Sequence, residues 1–163
     1  MTHRFALGSI GSSSPATPPL VAICMNPSHA KSSAADKTVL RLIDASKQHG
    51  YSGWVMLNLY PERSPKPKYL LPYDSALSAA NCTAIEQVLG DLNITEVLAG
   101  WGNMPHQTLR RAQLDILATL DRVGVRAFTL DPLTVKGNPR HPSPPGRPLA
   151  MLGPKRYLPR ATP

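Results

Sequence analysis

A chain of 163 residues suits one domain with an ordinary core, and 42% hydrophobic content supports a globular fold. No apolar run reaches membrane-spanning length and the first residues lack a signal-peptide core, so a soluble, cytoplasmic protein is expected. The net charge of +8 is unevenly spread: no acid follows Asp131, whereas Lys136, Arg140, Arg147, Lys155, Arg156 and Arg160 all do, which suits a polyanion such as nucleic acid as well as a merely solvating tail.

Residues 2–10 carry Phe5, Leu7 and Ile10 in weak alternation and read as an edge strand; the Ser/Pro-rich residues 11–19 form a turn segment. Residues 20–25 are a short apolar run with β-branched members, the signature of a buried strand. The run stops at Asn26-Pro27-Ser28. Pro27 cannot donate a ladder hydrogen bond and biases Asn26 away from the α region, so a polar side chain is displayed just past the strand's carboxyl end. In open α/β sheets ligands bind there.

Asp36 stands where a helix N-cap belongs; Val39, Leu42 and Ile43 follow at helical spacing, with Gly50 as the stop. Residues 54–59 (WVMLNL) are the second buried strand and contain Asn58 before Tyr60-Pro61. Residues 61–72, basic and proline-rich, read as a loop that is mobile or partner-facing. Residues 74–92 form one or two helices with an apolar stripe of Ile85, Val88, Leu89 and Leu92. Residues 96–101 (EVLAGW) are the third strand, Gly102-Asn103 turns the chain, and Pro105 suits the first turn of the next helix. Leu109, Ala112, Ile116, Leu117, Leu120 and Val123 give that helix a clear apolar face, and residues 125–130 are a fourth strand. Residues 131–145 are a Pro/Gly-rich loop, and the remainder is irregular with at most a short helix.

Alternation of strand and helix argues a three-layer α/β sandwich: a mostly parallel sheet of four to five strands with helices on both faces. Residues 1–145 make one domain and 146–163 a basic, Pro-rich tail. Four polar clusters then fall on one edge of the sheet, at Asn26-Pro27-Ser28, Asn58-Leu59-Tyr60, Trp101-Gly102-Asn103 and Arg140-His141-Pro142-Ser143. Each alone is an ordinary turn or strand end; convergence is what would make a site. No Gly-rich phosphate loop occurs, no G-x-S-x-G elbow, and the five histidines are scattered without metal-ligand spacing. Neither a cofactor nor a metal is expected. Cys24 and Cys82 read as buried thiols.

Met25-Asn26-Pro27-Ser28, Asp36-x-Thr38, Asn58-Leu59-Tyr60, Asn81, Trp101-Gly102 and Lys136-Gly137-x-Pro139-Arg140-His141-Pro142 resemble the bacterial and phage family called domain of unknown function 1643, over roughly residues 4–145. That family usually has Leu-Tyr after His-Pro, where this chain has Ser143-Pro144.

More distantly, Asn26-Pro27 after the first buried strand, then VMLN, VLAGWG and HPSP, resemble the uracil-DNA glycosylase superfamily. That likeness implies a three-layer fold around a parallel sheet and hydrolysis of an N-glycosidic bond on a flipped base. It implies that Asn26 orients the attacking water and that His141 stabilises charge on the departing base. Asn58 would bond the base edge, and stacking would fall to Tyr60 or Trp101. Ser28 and Ser143 would touch phosphates. The tail cations Arg140, Arg147, Lys155 and Arg156 would hold the backbone of nucleic acid, DNA first of all. The rival expectations are a non-catalytic nucleic-acid-binding module on the same fold and an enzyme acting on free nucleotides.

Overall fold

Short apolar runs, unable to fill a helix, pair here into a sheet that is covered on both faces. The structure, a computed structural model, describes residues 3–11, 17–27, 37–144, 146 and 149–160. Among them are six strands: β1 (Ala6–Ile10), β2 (Leu20–Cys24), β3 (Gly53–Asn58), β4 (Glu96–Ala99), β5 (Arg126–Thr129) and β6 (Arg156–Tyr157). Three helices connect them: α1 (Lys37–Gln48), α2 (Ser75–Asp91) and α3 (Gln107–Val123).

The lateral order is β1-β3-β2-β4-β5-β6. The four inner strands run parallel, while β1 and β6 pair antiparallel at the two edges. The sheet is therefore mixed and six-stranded, where a mostly parallel one of four to five strands was expected. Its edges depart for physical reasons. Only residues 11–19 join β1 to β2, fewer than the dozen or so that a parallel crossover needs, so β1 runs opposite to β2. β6 has no apolar pattern at all, since Arg156 and Tyr157 are both exposed. Polar contacts hold it instead. Glu96 accepts hydrogen bonds from the Tyr157 hydroxyl at 2.6 Å, the Tyr51 hydroxyl at 3.3 Å and the Lys155 ammonium. The Arg126 guanidinium lies 3.8 Å over the Tyr157 ring.

The alternation of β2 splits the core in two. Val21 and Ile23 pack with Ile85 and Leu89 of α2 and Leu109, Ile116 and Leu120 of α3. Leu20, Ala22 and Cys24 pack with Val39, Leu42 and Ala45 of α1. Covered on both sides, β2 needs apolar residues at every position, which is why it reads as an unbroken run. The tail adds to the α1 side: Met151 is 3% exposed, and its carbonyl accepts from His49 Nε2 at 3.1 Å.

Asp74 caps α2, a single helix, by accepting from the Ala76 and Leu77 N–H groups at 2.8 and 3.1 Å. His106 caps α3, its Nδ1 accepting from the Thr108 N–H, so Pro105 precedes the cap and does not occupy the first turn. Asp36, the expected cap of α1, lies outside the described residues. No helix among the described residues is long and apolar enough to cross a membrane.

One feature of this order positions the site. The chain leaves β2 toward α1 on one face and leaves β4 toward α3 on the other, and these strands are neighbours. Their diverging ends open a crevice at the topological switch point.

Candidate functional site

A cleft of about 570 Å³ occupies that crevice. The segments following four successive parallel strands wall it: Met25 and Asn26 after β2, Ser64, Pro65 and Pro67 after β3, Gly102, Asn103 and Pro105 after β4, and Thr134, Arg140, His141, Ser143 and Pro144 after β5.

Asn26 is held by its amide nitrogen, which donates to the Pro27 carbonyl at 3.2 Å and, at the limit of a hydrogen bond, to the Glu62 carbonyl at 3.5 Å. The Pro27 carbonyl also accepts from the Ser64 N–H at 3.1 Å, tying the β2 and β3 exits together. With the nitrogen so engaged, Oδ1 is the acceptor end of the side chain.

His141 lines the same cleft. Its Nδ1 accepts the Ser143 backbone N–H at 3.1 Å, so the neutral ring carries its proton on Nε2. The His-Pro turn rests on bare backbone. A Cβ at Gly100 would stand 3.2 Å from the Pro142 ring, and one at Gly102 would stand 3.1 Å from the His141 Cβ. Gly102 also has φ +68°, a left-handed conformation. Trp-Gly after β4 is thus the seat on which the His-Pro turn sits.

Asn103 fastens the same loop, its Oδ1 accepting from Thr134 Oγ1 and Asn138 Nδ2, both at 2.9 Å. Thr134 in turn bonds the Asn138 backbone at 2.8 and 3.1 Å. Arg140 is the one fixed cation among the described lining residues; its Nε donates to the Pro132 carbonyl at 3.0 Å. Burial pushes the nearby Asp131 carboxyl above its usual range, opposed by the Met151 N–H and by Arg140. Ser143 lines the cleft, and its hydroxyl is buried with no protein partner.

The cleft therefore brings together Asn26, Arg140, His141 and Ser143 of the residues expected from sequence. Others stand elsewhere. Asn58 is 1% exposed and its Nδ2 has no partner; Asn81 bonds the Asn58 and Leu59 carbonyls at 2.9 and 3.1 Å, where β3 leaves the sheet. Tyr60 is core: its hydroxyl accepts the Asp74 N–H at 3.1 Å, and burial raises its phenol above the ordinary value. Trp101 is equally buried, with an unpartnered Nε1. None of these three lines the cleft. Lys155 is paired with Glu96, which keeps its ammonium off the cleft, and Arg156 sits on the edge strand β6. Ser28 and Arg147 lie outside the described residues.

Thr134, Ser64, Pro65 and Pro67 were not anticipated from sequence, and Asn103 was placed at the sheet edge without a role; the proline-rich loop at 61–72 was the signal that could have found several of them. Cys24 and Cys82 form no disulfide, and burial pushes the Cys82 thiol up. Among the described residues no group of three or more His, Cys, Asp or Glu could hold a metal ion.

A family model described as "Protein of unknown function (DUF1643)" matches residues 4–143. No curated protein matches the chain.

Proposed function

The chain belongs to the DUF1643 family, and from its cleft we propose that it hydrolyses an N-glycosidic bond, on a fold like that of the uracil-DNA glycosylases. The base would be released from a nucleotide, either free or flipped out of nucleic acid. One observation carries this reading: Asn26 and His141, from opposite ends of the domain, line the same cleft as acceptor and donor.

The chemistry follows from those roles. Water adds at C1′ as the C1′–N bond breaks, and the bonding pair leaves with the base. Asn26 Oδ1 accepts a hydrogen bond from the water and so aims its lone pair at C1′. His141 Nε2–H donates to the departing base as negative charge builds there. The proton released by the water ends on the base. One preorganised donor of this kind is worth about 3–4 kcal/mol of barrier. Arg140 and Ser143, which line the same cleft, would hold a phosphate of the same nucleotide.

The test is release of free base, followed by chromatography, from uracil-, hypoxanthine- and alkylated-base oligonucleotides and from the matching mononucleotides. Wild-type protein is expected to release one of these bases, with the rate falling about 10²–10³-fold in His141→Ala and in Asn26→Ala. No release from any substrate by folded protein overturns the reading. A non-catalytic binding module would instead hold its ligand undiminished in both variants.

A second reading, action on free nucleotides, has its own support. With Lys155 committed to Glu96 and Arg156 on the far edge strand, Arg140 is the single cation among the described lining residues, a match to one phosphate group.

A further inference from the structure

Beyond the cleft itself, the loop joining β3 to α2 forms a rim with a chemistry of its own. Ser64, Pro65 and Pro67 line the cleft, and Lys66, Lys68 and Tyr69 beside them are exposed. Residues 61–72 contain one acid, Glu62, against Arg63, Lys66 and Lys68. Glu62 is 4% exposed, and both carboxylate oxygens lie 3.3 Å from the Leu71 N–H they accept. Lys66 and Lys68, by contrast, are exposed. Tyr69 follows them in the chain, 59% exposed, with the Lys68 ammonium 5.0 Å from its ring centroid.

The platform is rigid. Ser64 Oγ donates to the Lys66 carbonyl at 2.7 Å, the Tyr69 N–H to the same carbonyl at 3.0 Å, and the Leu70 N–H to the Pro67 carbonyl at 3.3 Å. Leu70 is buried and Thr108 Oγ1 donates to the Leu71 carbonyl at 2.7 Å. Four prolines restrict the backbone further. An exposed ring with one ammonium group over it and a second exposed lysine three residues earlier in the same braced loop matches a strand of alternating planar bases and phosphates: the base stacks, and the cations track the backbone. An acidic peptide offers the charges without the planar faces, and the paired bases of a duplex have their faces covered.

We infer that Lys66, Lys68 and Tyr69 bind single-stranded nucleic acid, Tyr69 stacking on an unpaired base while the strand passes over Pro65 and Pro67 into the cleft. The inference rests on the reading of the cleft as a nucleobase site, and it makes the substrate a polymer.

The experiment is fluorescence anisotropy of labelled oligo(dT) and oligo(rU) titrated with the full chain, beside competition by thymidine and uridine monophosphates. The strand is expected to bind at least tenfold tighter than the monophosphate; tighter binding of either strand supports the inference and identifies the sugar. Tyr69→Ala weakens the strand about tenfold or more, the loss of one base–aromatic stack, and Tyr69→Phe restores it. Lys66→Gln with Lys68→Gln flattens the dependence of log K on log salt by about 1.4, two single-strand phosphate contacts. Arg156→Gln leaves binding unchanged. Equal affinity for strand and monophosphate, indifference to Tyr69→Ala, or a loss that follows Arg156→Gln overturns the inference. Binding is read without turnover, so absent base release sinks the hydrolase reading alone, and absent strand binding leaves hydrolysis of mononucleotides standing.

Discussion

Gly102 holds a left-handed backbone, φ +68°, directly under the His141 Cβ. Gly102→Ala adds a methyl group there and imposes about 1–2 kcal/mol of backbone strain. The expected outcome is a lower melting temperature together with a displaced imidazole, seen as a changed 15N shift pattern for His141 and a fall in base release larger than the lost stability explains. Unchanged His141 shifts would show that the seat does not set the ring. The same scale explains which site residues could be read from sequence. Asn26 is legible because Pro27 forces the chain off the sheet at that point. Trp101 is not, because it continues the alternation of Val97 and Ala99 into the core under α2 and α3. A strand's last aromatic looks the same in sequence whether it faces a ligand or a helix.

Elements divide in the same way. The inner strands were readable because burial on both faces demands unbroken apolar runs, whereas β6 is two exposed residues held by Glu96 from β4. Burial works against ionisation of Glu96, but hydrogen bonds from Lys155, Tyr157 and Tyr51 outweigh it and hold the carboxyl below its usual range. Burial likewise opposes the charge on Lys155, and Glu96 and Tyr51 outweigh it, holding that amine above its usual range. A lowered carboxyl contributes stability that is complete above its unfolded pKa and disappears as pH falls through the folded one; a raised amine contributes stability that disappears as pH rises through its folded value. β6 is therefore held best near neutrality. The protection factor of the Leu158 amide, which bonds the Ala127 carbonyl at 2.9 Å, is expected to fall in acid. In Glu96→Gln it should be lower at neutral pH and lose that acid dependence. At the cleft, Asn103→Ala removes two anchors of the loop after β5, each worth about 1 kcal/mol, and trypsin should then cut faster at the exposed Lys136.

The whole molecule is closed by its last described segment. Met151 adopts φ 55°, is 3% exposed and fills the α1-side core beside Phe128 and Leu130, so the residues beyond the expected domain boundary help to bury the sheet. Met151→Ala is expected to cost about 2–5 kcal/mol, measured by denaturant unfolding, with a melting temperature several degrees lower. A result under about 0.5 kcal/mol would mean that the segment only decorates the surface. Composition alone marked this stretch as a basic, Pro-rich tail, suited to a polyanion or to solvation, because its prolines and cations hide one methionine whose partners lie far away in the chain. The convergence of Asn26 and His141 was readable at this scale, since parallel strands put their carboxyl ends on one edge. The direction of each side chain at that edge was not.

The contact of the His-Pro turn with Gly100 and Gly102 is one of main chain against main chain and ring, with no long side chain between. Such a joint has no rotamer to swing aside, so a bulkier guest cannot gain depth by pushing on the floor. Size selection then belongs to the two proline-bearing lips, at 61–72 and 131–144. Grafting longer or shorter versions of those lips should change which guests fit, whereas substitutions at the two glycines should only spoil the fit for all of them.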